Sequence, residues 1–327
     1  MTHKSPMPFS LLRRAMRGLL ALLLSSLWLP LAVAREGTHA CDNTAVPASA
    51  ATAPQESRDR GFLWRVSKEG HSSYLYGTLH VGRPEWASPG RSVAAALRDT
   101  DMLAMELDLT DTRTTAQVAD SMRHGNPALT PSLRARLQRQ FAAACMQPGP
   151  MARLHPLMQA LTLTLLAGRQ EGLDPAYAQE LMLASHARTS RRPVVGLESV
   201  QRQMQALMPR GDGAGQAMIE QLLQQLEDGT LRPVLRRVAK VWEQGDFEQL
   251  ERYAEWCDCA RTPAERALLA RLTDERNPGM AERIDALHRE GHRVFAAVGA
   301  LHMAGHQGLP RLLARRGYTV ERVLFEQ

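Results

Sequence analysis

Apolar positions along the chain fall into three regimes. Between 62 and 109 they are dense and short-ranged. Phe62-Leu63-Trp64-Arg65-Val66 and Ser73-Tyr74-Leu75-Tyr76-Gly77-Thr78-Leu79-His80 are β-rich runs on either side of the turn signal Glu69-Gly70-His71, which predicts a hairpin. Val93, Ala96 and Leu97 recur at helical spacing and predict a helix over 90–99. Residues 102–109 form a near-continuous apolar run, as in a strand covered on both faces. From about 113 to 290 the spacing changes to three and four, with Pro or Gly as punctuation. It predicts helices over 131–146, 151–169, 175–189, 214–227, 231–244, 246–256 and 280–289, with one strand interrupting them at 192–197. The end returns to a buried strand at 293–298, a helix at 306–316 and, after Gly317, a closing strand at 318–323. The β elements thus come from both ends of the chain. The pattern predicts one α/β (α+β) domain over 61–327, with a mixed central sheet built from N- and C-terminal segments and a large helical insertion, or cap, over about 113–290. No repeat period emerges, which argues against a solenoid.

Two leading segments stand outside that domain. Arg13, Arg14 and Arg17 precede a short apolar stretch and then Ala32-Val33-Ala34, the three parts of a secretory signal peptide with cleavage expected after Ala34. Residues 35–60 are rich in Ala, Thr, Pro and Ser without apolar periodicity and predict a disordered lead-in. Beyond the leader no run approaches the length of a membrane span, so no stable span is expected after cleavage. The reading is therefore an exported, periplasmic protein. Its charge changes meaning accordingly. The formal net charge is +6, and removing Lys4, Arg13, Arg14 and Arg17, which the leader carries with no acid, leaves +2. A nucleic-acid partner loses its main support. Export also favours disulfides among Cys41, Cys145, Cys257 and Cys259, in one of three full pairings. Cys257-Asp258-Cys259 resembles half of a metal site but has no second pair, and cysteines two apart bond to each other only with strain.

Two short motifs match each other. Gly77-Thr78-Leu79-His80 closes an N-terminal strand and Gly299-Ala300-Leu301-His302 a C-terminal one. Glycine lets the backbone turn or be approached closely, and each histidine emerges just beyond its strand. Ligands of α/β sheets bind beyond the carboxyl ends of strands, so the two imidazoles are expected at one site; the plain alternative is two loop histidines at separate strand ends. Imidazole suits zinc, manganese, cobalt or iron, and equally acid–base work. Glu106 is the sharper anomaly, because a carboxylate inside an apolar run must be paired, protonated or metal-bound. Near its strand end it would share a rim with His80 and His302, and two histidines with one carboxylate form a divalent-metal set that leaves room for water. A salt bridge to one of the 40 Lys and Arg residues is the alternative. Glu198 repeats the pattern of an acid at a strand end, whereas Asp108, nearer a loop, reads as solvated. Arg276 and Asn277 precede a helix, where capping by Asp274 or Asn277 is the simpler account. There is no Gly-x-Ser-x-Gly, no Gly-x-Gly-x-x-Gly after a strand, no phosphate loop and no His-Glu-x-x-His.

These residues resemble the TraB/GumN family, bacterial relatives of the Tiki proteases within a wider group that holds the erythromycin esterases and ChaN. The likeness runs through Leu63-Trp64-Arg65-Val66, Gly77-Thr78-Leu79-His80-Val81-Gly82, Met105-Glu106-Leu107-Asp108, Gly196-Leu197-Glu198-Ser199, Glu275-Arg276-Asn277, Val298 to Gly305 and Gly317-Tyr318-Thr319-Val320. Ala300 departs from the pattern where many members carry a second glycine or another small residue. The resemblance implies a metal-dependent hydrolase, of the peptidase kind, acting on a peptide or small molecule. His80, Glu106 and His302 would hold a divalent metal (Mn, Co or Zn), Glu106 or Glu198 would relay a proton, and Arg276 would steady the oxyanion, with Asn277 beside it. Two other expectations remain: a metal-free hydrolase using His80 and Glu106, as in the esterase relatives, and a non-catalytic binder of a peptide or iron compound.

Overall fold

The computed structural model describes residues 57–123, 129–146, 149–209, 212–257 and 259–325. Its six strands are β1 (Phe62–Lys68), β2 (His71–Thr78), β3 (Met102–Met105), β4 (Val194–Gly196), β5 (Val294–Gly299) and β6 (Thr319–Val323). They form one mixed sheet in the order β4-β3-β5-β2-β1-β6. β1 and β2 make the expected hairpin, antiparallel with Lys68 opposite His71, and its two turn residues Glu69 and Gly70 have φ of 52° and 84°. Two consecutive left-handed residues give the turn whose twist matches that of the strands. β2, β5, β3 and β4 run parallel, so their carboxyl ends share one edge of the sheet. β5 lies in the middle with all six residues buried, which is why Val294–Gly299 reads as an unbroken small and apolar run.

The sheet therefore draws on the first and last segments of the domain, as expected, and takes its edge strand β4 from within the helical insertion. β3 is shorter than predicted. It stops at Met105, because the next ladder position on β5 is filled by a side chain: the N–H of Gly299 donates to Glu106 Oε1 at 2.9 Å. Three helices escaped the apolar pattern, Thr112–Ser121, Val200–Leu207 and Pro263–Leu272. Each is short and starts at a capping side chain, Asp111, Ser199 and the Thr262–Glu265 capping box respectively. The run at 246–256 divides into Phe247–Glu251 and Tyr253–Trp256. The helix after Arg276 begins at Asn277 rather than Met280, and the last helix spans Leu309–Arg315 only.

Residues 57–60, placed by composition in a disordered lead-in, are held. The Asp59 carboxylate accepts the N–H groups of Ser92 and Val93 at the start of helix Arg91–Asp99, at 2.8–3.1 Å. Cys257 and Cys259 are disulfide-bonded despite their spacing, and no described cysteine is free. Among the described residues no helix is long and apolar enough to cross a membrane. The leader, the cut after Ala34, Cys41, Asp258 and His124 lie outside the described residues.

Candidate active site

The two Gly-x-x-His motifs lie side by side. Parallel pairing sets Gly77 against Val298 and Thr78 against Gly299, so both chains leave the sheet at the same level. A Cβ on Gly77 would sit 3.2 Å from Ala300 Cα, which accounts for the glycine. Its carbonyl accepts from Trp242 Nε1 at 2.8 Å, fixing the strand end against helix Leu231–Glu243. Beyond β5 the chain turns through Ala300–Met303, which carries His302; beyond β2 come Leu79 and His80. Glu106 follows β3 and Glu198 follows β4, with Leu197 N donating to Met105 O and Glu198 N to Glu106 O. Arg276 enters from the start of helix Asn277–Arg289.

Arg276 is the hub. The residue is 3% exposed, and its guanidinium meets carboxylates on two sides. Nε donates to Glu198 Oε2 at 3.1 Å, and Nη2 donates to Glu198 Oε1 and Glu106 Oε2. Nη1 donates to Leu272 O at 2.9 Å and faces His302 Nε2 at 3.2 Å. Burial opposes its charge, but the two carboxylates outweigh burial and raise its pKa, so the guanidinium stays protonated. Burial also raises Glu198, against the pull of Arg276. The salt bridge offered as the plain account of Glu106 is thus present, and its partner is the arginine singled out for chemistry. Both accounts describe one contact.

His302 has a defined tautomer. Asn277 Nδ2 donates to the carbonyls of Gln307 and His302, at 2.7 and 3.3 Å, which leaves Asn277 Oδ1 as an acceptor. That oxygen is 2.6 Å from His302 Nδ1, so Nδ1 carries the proton and Nε2 presents a lone pair to Arg276. Burial, then the charge of Arg276, lowers the His302 pKa to about 3. The imidazole is neutral, with Nε2 3.7 Å from Glu106 Oε1. Asn277 therefore serves His302, not a helix cap; the cap position is Arg276, without a side-chain hydrogen bond.

His80 is 1% exposed and reaches the cluster electrically. Burial works against its charged form, but Glu180 and then Glu106 outweigh it and raise its pKa. Its charge in turn depresses His302. Nδ1 stands 2.9 Å from Glu180 Oε1, yet neither ring nitrogen makes an aligned hydrogen bond. Glu180, bonded also by Thr78 Oγ1, and Gln203, whose Nε2 donates to Glu106 Oε2 at 3.0 Å, were not anticipated from sequence. Asp108 binds the N–H and hydroxyl of Thr110 in a local turn.

A divalent ion would need the Nε2 lone pair of His302 and an oxygen of Glu106, but Arg276 faces the first and both Glu106 oxygens already accept hydrogen bonds, from Gly299 N–H, Gln203 and Arg276. Among the described residues no group of three or more His, Cys, Asp or Glu is placed to hold a metal ion. The donors as arranged therefore do not fit one. What they offer is a buried carboxylate pair, a fixed positive charge, one neutral and one charge-favouring imidazole, all at the carboxyl ends of the sheet's four parallel strands.

The model of the TraB/PrgY/gumN family matches residues 62–322, and the chain belongs to this family. Comparison with curated proteins and with solved structures gives no match.

Proposed function

From this membership and the buried cluster, we propose that the protein is an exported hydrolase of amide or ester bonds in which Arg276 supplies the fixed positive charge. The observation that carries the reading is the single guanidinium bridging Glu106 and Glu198 while facing His302 Nε2. A carboxylate whose pKa is raised by burial is the stronger base, so Glu198 takes the proton of the attacking water. Arg276 stabilises the oxygen on which negative charge develops, in a site where water does not screen it. His80, biased toward its charged form, returns a proton to the leaving group. Glu106, held by Gly299 N–H, Gln203 and Arg276, keeps the guanidinium in place. Export is supported by the leader pattern and by the Cys257–Cys259 disulfide.

The metal-dependent reading, with His80, Glu106 and His302 as ligands, is favoured by one feature: the Asn277-fixed tautomer leaves Nε2 of His302 as a donor. It requires Arg276 to withdraw. A panel of fluorogenic peptides and nitrophenyl esters separates the two. We expect turnover to survive dialysis against a chelator and to fall about 100-fold or more in Arg276→Lys, which keeps charge but not the fork. Turnover lost on chelation and restored by Mn, Co or Zn would select the metal instead. Turnover indifferent to Arg276→Lys and Glu106→Gln would leave only a binding protein.

A further inference from the structure

We propose that His71 and His288 form an acid-released latch, which holds the last turn of helix Asn277–Arg289 to the tip of the β1–β2 hairpin at neutral pH and lets it go when both rings are protonated. The two residues are 217 positions apart in sequence, and their rings stack with centroids 3.7 Å apart and planes 11° from parallel. Two hydrogen bonds cross between the elements in opposite senses. His71 Nε2 lies 3.0 Å from the carbonyl of His288, and His288 Nε2 lies 3.0 Å from the carbonyl of Lys68. A carbonyl only accepts, so both Nε2 atoms carry protons and each ring has Nδ1 left to titrate. Lys68 faces His71 across the turn, so the latch grips both strands of the hairpin. The His288 carbonyl, at a helix end where carbonyls lack their usual amides, also accepts Gly291 N–H at 2.9 Å. The same helix, 13 residues and about 20 Å long, starts at Arg276 and Asn277 in the buried cluster.

His288 is buried, and its Nδ1 is already engaged. It stands 3.2 Å from Ser73 Oγ and accepts the hydroxyl proton, while Ser73 Oγ accepts Val294 N–H at 3.0 Å. A proton on His288 Nδ1 would turn that hydroxyl away from its acceptor inside a buried site, which is costly. It would also complete a pair of like charges if His71 were charged, whereas one charged ring against a neutral one meets no repulsion. The surroundings do not offset a second charge. Lys68 at the end of β1, Arg289 on the helix itself and Arg316 after the last helix are all positive. Asp285 faces them, but its carboxylate already serves Lys68 Nζ at 3.6 Å, Arg289 Nε at 3.4 Å and the Tyr318 hydroxyl at 3.0 Å. The Tyr318 ring, 5.0 Å from that of His288, is kept neutral by burial. Glu69, in the turn, is exposed, where solvent screens it. Burial foremost, joined by the charge of His71, holds the His288 pKa below its usual 6.5, although the Lys68 carbonyl, Glu69 and Asp285 pull the other way. The opened state therefore takes the proton more readily, so the latch is complete above pH 6.5 and weakens as pH falls.

The test is hydrogen–deuterium exchange of the full chain at pH 7.5 and 5.0, with rates corrected for the intrinsic effect of pH. In wild type, the protection of residues 66–74 and 285–292 should fall about tenfold between the two, as for a difference of about one pKa unit between closed and open states. Protection of β5 at 294–298 should stay, because the sheet itself remains paired. His71→Phe keeps a flat ring against His288 that cannot be charged, and His71→Gln keeps a donor for the His288 carbonyl without ring or charge. His71 is half-buried at a hairpin tip, so both variants should fold. In each, protection of the two segments should change by less than about twofold between pH 7.5 and 5.0. Wild-type segments indifferent to pH, or a tenfold fall retained in both variants, would overturn the latch. An equal fall across β5 would overturn it too, since the whole domain would then be opening. No turnover enters the measurement, so its outcome is independent of the hydrolase reading.

Discussion

His302 shows how one residue can be fixed from two directions. Asn277 accepts a hydrogen bond from its Nδ1–H and Arg276 approaches its lone pair, so protonating Nε2 would set two cations against each other in a buried space. The consequence for stability has a definite sign. The folded pKa of about 3 lies below the ordinary value of 6.5, so between these limits the unfolded chain binds the proton more readily. Stability from this group is complete above pH 6.5 and is lost as pH falls toward 3. By pH 4 the loss reaches roughly 3 kcal/mol. His80 and Glu198 act oppositely. Their raised pKa values favour the fold at low pH, and that advantage fades as pH rises through them. The total slope is therefore mixed, and the difference between wild type and His302→Gln isolates the residue. Urea midpoints at pH 7, 5.5 and 4 should fall less steeply in the variant; parallel slopes would mean that His302 takes up its second proton in the fold as readily as in the unfolded chain.

At the scale of elements, what matters is how a polar residue is aimed. Glu180, Leu183, Ala184 and Ala187 are all buried along helix Gln179–Thr189, and so are Val200, Gln203, Met204 and Leu207 along the next. Both polar residues found only in the structure occupy the first or second place of an i, i+3, i+4, i+7 stripe. That is a sequence signal, although it requires the helix boundaries, and Val200–Leu207 was too short for periodicity to reveal. The residues at strand ends were legible for the opposite reason. A continuous apolar run terminates visibly, so His80, Glu106, Glu198 and His302 stood out without any register. Arg276 was visible as a residue but not as a hub, because nothing local tells a helix start from a buried ion pair. The segment carrying Glu180 is also pinned at a distance. Gly82 and Asp174 exchange backbone hydrogen bonds of 3.0 and 2.8 Å, and a Cβ on Gly82 would lie 2.1 Å from Tyr177 O. Gly82→Ala should cost about 1–3 kcal/mol as backbone is pushed apart, read as a lower melting temperature, whereas Gly70→Ala meets no atom within 4 Å and strains only its own φ of 84°. Equal melting of Gly82→Ala and wild type would show that the bridge yields freely.

For the molecule as a whole, the sheet cannot exist until the two ends of the domain meet. β5 hydrogen-bonds to β2 on one side and β3 on the other, and Val294 N donates to Ser73 Oγ across 221 positions of sequence. Closing so long a loop is entropically costly before any contact rewards it, which predicts slow folding for the size. It also makes the helical insertion dependent. Trp242 packs on Tyr76 and donates to Gly77 O, and Arg276 keeps its charge in a buried site by means of carboxylates that follow β3 and β4. Remove β5 and those carboxylates stay, but Glu106 loses the Gly299 N–H, β2 and β3 become edges, and the rings of Tyr76 and Phe295, 5.8 Å apart, no longer meet. Unpaired edges and a half-satisfied buried ion cluster are together worse than the loss of one strand. A chain ending at Glu290 should therefore retain helical far-ultraviolet dichroism yet melt without a cooperative transition, despite keeping the helices of the insertion. Calorimetry decides the matter: a sharp endotherm from the shortened chain would mean that the insertion folds by itself and that the sheet is assembled onto it.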